Sequence, residues 1–110
     1  LFPFGYNRSK VNNLFIFSLN SQSLRNKINE IEAFFLDYQK IDVFCVTEHW
    51  LFDNEIDLYV LSNFKLANYY CRKSMNDGGV CIFLKSHLLF EPLPKIDALS
   101  TEFHCEITSI

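Results

Sequence analysis

Leu14-Phe15-Ile16-Phe17-Ser18-Leu19, followed by Asn20-Ser21-Gln22-Ser23, is the stretch on which the fold turns. The first part is apolar without alternation, which predicts a short strand buried on both faces. The second part is polar and rich in residues that cap helices. From Leu24 the period changes. Leu24, Ile28, Ile31 and Phe35 recur at i, i+4, i+7 and i+11, the spacing of one helical face, and the helix should run to about Tyr38. Arg25, Lys27, Glu30 and Glu32 fall largely off that stripe. Val43-Phe44-Cys45-Val46-Thr47 is then a second buried strand. Two such strands joined by an amphipathic helix predict a layered α/β (α+β) arrangement, with the strands parallel and the crossover right-handed. In that geometry Asn20, ending the first strand, and Glu48-His49, ending the second, emerge at one edge of the sheet. Ligand sites in α/β sheets favour that carboxyl-terminal edge.

Downstream of Trp50 lies an acidic loop with Asp53, Glu55 and Asp57. Phe64 to Tyr70 reads as a third strand and Val80 to Leu84 as a fourth. The turn-rich Arg72-Lys73-Ser74-Met75-Asn76-Asp77-Gly78-Gly79 between them makes an antiparallel hairpin. Glu91-Pro92-Leu93-Pro94 breaks the chain, and residues 101–110 alternate like a last strand. A chain that opens on Leu1 and stops inside a strand pattern is expected to be a piece of a longer protein. Residues 1–13 would form an irregular leader and 14–110 a partial domain.

The 110 residues allow one domain by the usual prior of roughly 100–200 residues each. Hydrophobic residues at 49% and charged residues at 21% exclude a disordered tail. No run approaches the about 18 apolar residues of a transmembrane helix. A net charge of −3 excludes a protein that grips nucleic acid by charge alone. A mildly acidic chain can still act on nucleic acid if its carboxylates hold a cation that meets the phosphate. Cys45, Cys71, Cys81 and Cys105 form no C-x-x-C pair and read as small hydrophobes in a reducing compartment. Gly-rich phosphate loops, H-E-x-x-H, G-x-S-x-G and EF-hand patterns are missing.

Glu48 carries the most chemical information. A carboxylate placed where a buried strand surfaces offers an oxygen ligand to a hard cation such as Mg²⁺, although position alone fits a solvated loop carboxylate equally. The Asn20 amide could donate to a phosphoryl oxygen or orient a water; on its own it fits a helix cap better. His49 is an acid–base candidate that reads better as a packing residue beside Trp50. Arg72-Lys73 next to Tyr69 and Tyr70 could meet phosphates and bases, or be an ordinary hairpin tip. His104 reads as structural.

Three blocks resemble a known family in order and spacing. They are Phe17-Ser18-Leu19-Asn20-Ser21-Gln22-Ser23-Leu24-Arg25-Asn26-Lys27, Ile41-Asp42-Val43-Phe44-Cys45-Val46-Thr47-Glu48-His49-Trp50-Leu51, and Tyr70-Cys71-Arg72 with Gly78-Gly79-Val80-Cys81-Ile82-Phe83. The family is the endonuclease/exonuclease/phosphatase superfamily, in the variant found as the endonuclease domain of non-LTR (LINE-type) retrotransposon polyproteins. The resemblance covers the chain from Leu14 onward but only the N-terminal half of that domain. It implies the first half of a four-layer α/β sandwich of the DNase I-like type. It also implies cleavage of a phosphodiester with Mg²⁺ (or Mn²⁺ in its place), and nicking of target DNA to prime reverse transcription. Asn20 matches the asparagine that positions the scissile phosphate and the attacking water, and Glu48 matches the metal-ligand glutamate. A downstream reverse transcriptase, an intracellular and finally nuclear site of action, and no membrane partner follow from the same likeness. The family's tyrosine, Asp-x-Asn pair and Ser-Asp-His segment belong to its second half, and His49, His87 and His104 do not stand in that motif. The isolated chain is therefore expected to be inactive, and poorly soluble or partly molten. The competing expectations are a non-catalytic, degenerate interaction module of the same fold, and the same fold used as a phosphatase or deoxyribonuclease of small substrates.

Overall fold

The computed structural model describes residues 13–74, 77–100, 102 and 106–110. They form a small α+β unit with a mixed four-stranded sheet. Its elements are β1 (Ile16–Asn20), α1 (Ile28–Asp37), β2 (Val43–Thr47), β3 (Phe64–Tyr70), β4 (Val80–Lys85) and the short α2 (Pro94–Asp97). A single 3-10 turn, Ile56–Leu58, sits in the acidic loop. The leader expected over 1–13 lies outside the described residues except for Asn13.

β1 and β2 are parallel, with Ile16 opposite Val43 at one end and Asn20 opposite Thr47 at the other. β3 and β4 form the expected antiparallel hairpin, with a register shift between Leu66 and Asn68. The sheet order is β1-β2-β4-β3, so the hairpin docks through its second strand. Composition explains the choice. Cys81-Ile82-Phe83-Leu84 is apolar on both faces and buried throughout, whereas every residue of β3 is only half-buried. The more apolar strand takes the interior position beside β2.

β1 departs from expectation. It is an edge strand whose burial alternates, with Phe17 and Leu19 turned inward and Ile16, Ser18 and Asn20 exposed. A short apolar run is consistent with either environment, and only the neighbouring strands decide. α1 also starts later than the periodicity predicts. Leu24 is fully buried, which extends the apparent stripe, but the helix begins at Ile28 and its N-cap position, Lys27, makes no side-chain cap. Asn20 to Ser23 cap nothing: Gln22 and Ser23 have φ of 45° and 98°, and the Ser21 hydroxyl is bonded elsewhere.

The two faces of the sheet differ. On one, Ile31 and Phe35 of α1 pack against Phe44, Val46, Cys81 and Phe83. Phe44 is the centre of that core. Phe35 meets it edge-on at 4.9 Å between ring centres, and Phe17 and Phe83 lie nearly parallel to it at 5.7 and 6.0 Å. Each such pair adds about 0.5–1.5 kcal/mol beyond the area it buries. On the other face Val43, Ile82 and Leu84 form a second apolar cluster, flanked by Cys45, Ala67, Leu88 and Ile110. This face lines an open trough of about 760 Å³ with Leu14, Ile16 and Leu89 at its margins. Strand alternation produces the division: Phe44 and Val46 turn to the helix, and Val43 and Cys45 to the trough.

No strand forms at residues 106–110, and 101 and 103–105, with His104 and Cys105, lie outside the described residues. Local side-chain bonds replace the ladder there. The Ser100 hydroxyl both donates to the Ile107 carbonyl and accepts from its N–H, and the Ser109 hydroxyl donates to Asp97 at 2.9 Å. Among the described residues no helix is long and apolar enough to cross a membrane.

Candidate active site

The loop after β1 and the loop after β2 are joined bond by bond. Beyond the last rung, Asn20 opposite Thr47, the Ser21 N–H donates to the Thr47 carbonyl at 2.9 Å. The Ser23 N–H donates to the Glu48 carbonyl at 3.0 Å, and the Leu24 N–H to the His49 carbonyl at 3.0 Å. The fully buried Ser21 adds its hydroxyl to the Glu48 carbonyl at 2.9 Å. Lys27 folds back from the start of the helix and donates to the carbonyls of Ser21 and Gln22. Each neutral bond of this kind is worth about 0.5–1.5 kcal/mol net. Together they hold Asn20 and Glu48 at the same edge of the sheet. Asn20 is exposed and Glu48 half-buried.

Glu48 and Trp50 both lie in left-handed backbone, with φ of 57° and 60°. Two non-glycine residues so placed cost about 1–3 kcal/mol each, and such strain persists only where the surroundings over-determine it. The restraints here are visible. The Trp50 N–H donates to the Gly78 carbonyl at 2.9 Å, and the Trp50 indole Nε1–H donates to Glu48 Oε1, also at 2.9 Å. The second carboxylate oxygen, Oε2, has no hydrogen-bond partner among the described residues.

His49 is the pin that holds this loop. It is fully buried. Nδ1 accepts from the Leu51 N–H at 2.9 Å, so the ring proton sits on Nε2, which donates to the Tyr70 carbonyl at 2.9 Å. Burial lowers its pKa, opposed by the bond to Tyr70 and by the nearby Glu106, Glu48 and Glu55 carboxylates. A neutral imidazole with both nitrogens engaged is a structural member, as its place beside Trp50 predicts. Cys71 lies 3.9 Å from Nε2, and burial with three nearby carboxylates pushes its thiol up to about 12. It is therefore an inert thiol. Cys45, Cys71 and Cys81 are free.

Arg72 is a structural residue as well. Its guanidinium pairs with Glu106 and with Asp77, the latter at 2.9 Å, and its side chain is 15% exposed. Glu106 also accepts the Gly79 N–H at 2.7 Å, and Glu102 accepts the Lys73 N–H at 2.7 Å. The carboxylates that satisfy the hairpin tip come from a distant segment, which residue types alone do not reveal. Trp50, Ser21 and Lys27 are likewise contributions that sequence reasoning missed. A lone indole two residues after a carboxylate is a weak signal, and serines in a polar loop are weaker still.

The donor set is one half-buried carboxylate, with Oε1 held by the Trp50 indole, at the same sheet edge as the exposed Asn20. Among the described residues no group of three or more His, Cys, Asp or Glu stands together as a cage. Within the donor set, Glu48 Oε2 is the oxygen that could meet a hard cation. No family model matches the chain, and no curated protein matches it.

Proposed function

We propose that this chain is the N-terminal half of a DNase I-like, metal-dependent endonuclease domain of the kind borne by non-LTR retrotransposons, and that it contributes Asn20 and Glu48 to the site that nicks DNA. The observation that carries this reading is the parallel register Asn20 to Thr47, which delivers the amide and the following carboxylate to one edge on loops that are bonded together.

In this reading Glu48 Oε2 is the protein's ligand for Mg²⁺ or Mn²⁺, and the Asn20 amide donates to a non-bridging phosphoryl oxygen and fixes its orientation. A bound Mg²⁺ would polarise the phosphoryl group and stabilise the charge that develops on it. Glu48 is anchored through Oε1, so little reorganisation is required as charge builds. The groups that activate water and protonate the leaving oxygen are supplied by the second half of the domain, which also covers the open face of the sheet. The trough lined by Val43, Ile82 and Leu84 supports that arrangement. The same trough favours one second reading, a non-catalytic module that uses its apolar face to bind another chain.

The test is nicking of supercoiled plasmid in Mg²⁺ by the chain extended through its downstream reading frame. Glu48→Ala should abolish nicking in a folded protein. Nicking that survives this substitution overturns the assignment, and binding of a protein partner that persists in Glu48→Ala without Mg²⁺ supports the second reading.

A further inference from the structure

We infer that Trp50 is a positioning residue for the Glu48 carboxylate: its indole N–H holds Oε1, so that Oε2 alone is presented to the cation. The inference rests on the reading of Glu48 as the cation ligand. Three observations carry it. The bond from Nε1 to Oε1 is 2.9 Å, within the range of charge-assisted donors. The two residues are separated only by His49, whose ring is fixed by the Leu51 N–H and the Tyr70 carbonyl, so carboxylate and indole hang from one immobile point. Both residues occupy left-handed backbone, a strained arrangement whose visible result is that the indole reaches back over the carboxylate.

A glutamate has three side-chain torsions and pays rotamer entropy when it binds an ion. A donor already seated on one oxygen removes most of that freedom and leaves a single lone-pair direction open. Outer partners of this kind change metal affinity by about 10–100-fold when removed. The indole N–H has no acceptor capacity and cannot itself ligate, so its effect passes through Glu48.

The chain contains one tryptophan, which makes the test clean. Replacing Trp50 with β-(3-benzothienyl)alanine keeps the bicyclic shape and exchanges N–H for sulfur; Trp50→Phe is the simpler companion. Free Mn²⁺ is counted by electron paramagnetic resonance in titrations of the full chain. Thermal melting monitors the fold, and the indole ¹⁵N–¹H resonance of the unsubstituted protein monitors the bond. The expected result is a roughly tenfold or greater loss of Mn²⁺ affinity with the benzothienyl isostere at unchanged melting temperature. Glu48→Gln should abolish Mn²⁺ binding, and Glu48→Ala, which removes the acceptor, should shift the indole resonance upfield. Mn²⁺ affinity equal to wild type in the isostere, with Glu48→Gln still abolishing binding, overturns the role of Trp50 alone. Mn²⁺ binding unchanged in Glu48→Gln, or absent from the wild-type chain, overturns the reading of Glu48 and this inference with it. An indole resonance that ignores Glu48→Ala overturns the bond itself.

Discussion

Gly79 lies flat against the imidazole of His49. A β-carbon added to this glycine would stand 2.9 Å from Nδ1 and closer still to Cε1 and Nε2. Its φ of 84° is also one that side chains rarely adopt. Glycine here lets the hairpin touch the ring that anchors the Glu48 loop.

Gly79→Ala should therefore destabilise the protein by about 2–4 kcal/mol, from backbone strain plus displacement of a buried ring. Gly78→Ala has similar strain, at φ 70°, but its β-carbon meets the Arg72 guanidinium, which can swing away at the cost of its ion pairs. It should cost less. Chemical denaturation of the two variants checks the order; equal losses would show that the His49 contact is not what matters.

Stability should fall on mild acidification. Burial holds the His49 pKa below its ordinary value, about 6.5 in the unfolded chain, so the unfolded state binds the extra proton first. The stabilisation from keeping this ring neutral is complete above about pH 6.5 and is lost as pH falls towards the lower folded pKa. Melting temperatures between pH 8 and 5 should decline, and His49→Gln should flatten that segment of the profile. A wild-type profile level down to pH 5 contradicts this.

The core and the trough should respond differently. Phe44→Ala removes the ring on which Phe17, Phe35 and Phe83 converge and should cost about 3–5 kcal/mol, enough to unfold the chain. Ile16→Lys, at a residue 64% exposed on the trough margin, should change stability by less than about 0.5 kcal/mol while reducing self-association and dye binding. Sedimentation across a concentration series measures this. A wild-type chain that is already monomeric with a sharp thermal transition would mean the open face is not sticky.

Glu48 and His49, though adjacent, should separate chemistry from folding. Glu48→Gln keeps an oxygen for the Trp50 indole and should leave melting nearly unchanged while removing Mg²⁺-dependent nicking from the extended protein. His49→Ala orphans the Leu51 N–H and the Tyr70 carbonyl and should destabilise by about 2–5 kcal/mol, with activity lost through the fold. A stable, inactive His49→Ala protein would instead make the imidazole a chemical participant.

Periodicity and turn chemistry located β2, β3 and β4 to within a residue, because β2 and β4 are apolar runs with sharp ends and the turn-rich segment 72–79 separates β3 from β4. The start of α1 was less legible. Leu24 is buried by a loop bonded to β2, and burial mimics the helical stripe. The position of β4 between β2 and β3 depends on a competition between strands that no single segment encodes. At the site, the shared edge of Asn20 and Glu48 follows from parallel pairing and could be reasoned out. The indole bond to Glu48, the Ser21 clamp and the Glu106 staple could not, since they depend on left-handed turns and on contacts between remote segments.

Asn20 and Glu48 are brought to one edge by rungs between two strands and by the bonded loops that follow them, and the length of the helix that separates them along the chain does not set that placement. Turns of α1 can be gained or lost by descendants of this chain with the constellation intact, whereas a single slip between β1 and β2 would dismantle it. Kinship to this protein is better sought by superposing the strand pair than by counting letters from asparagine to glutamate.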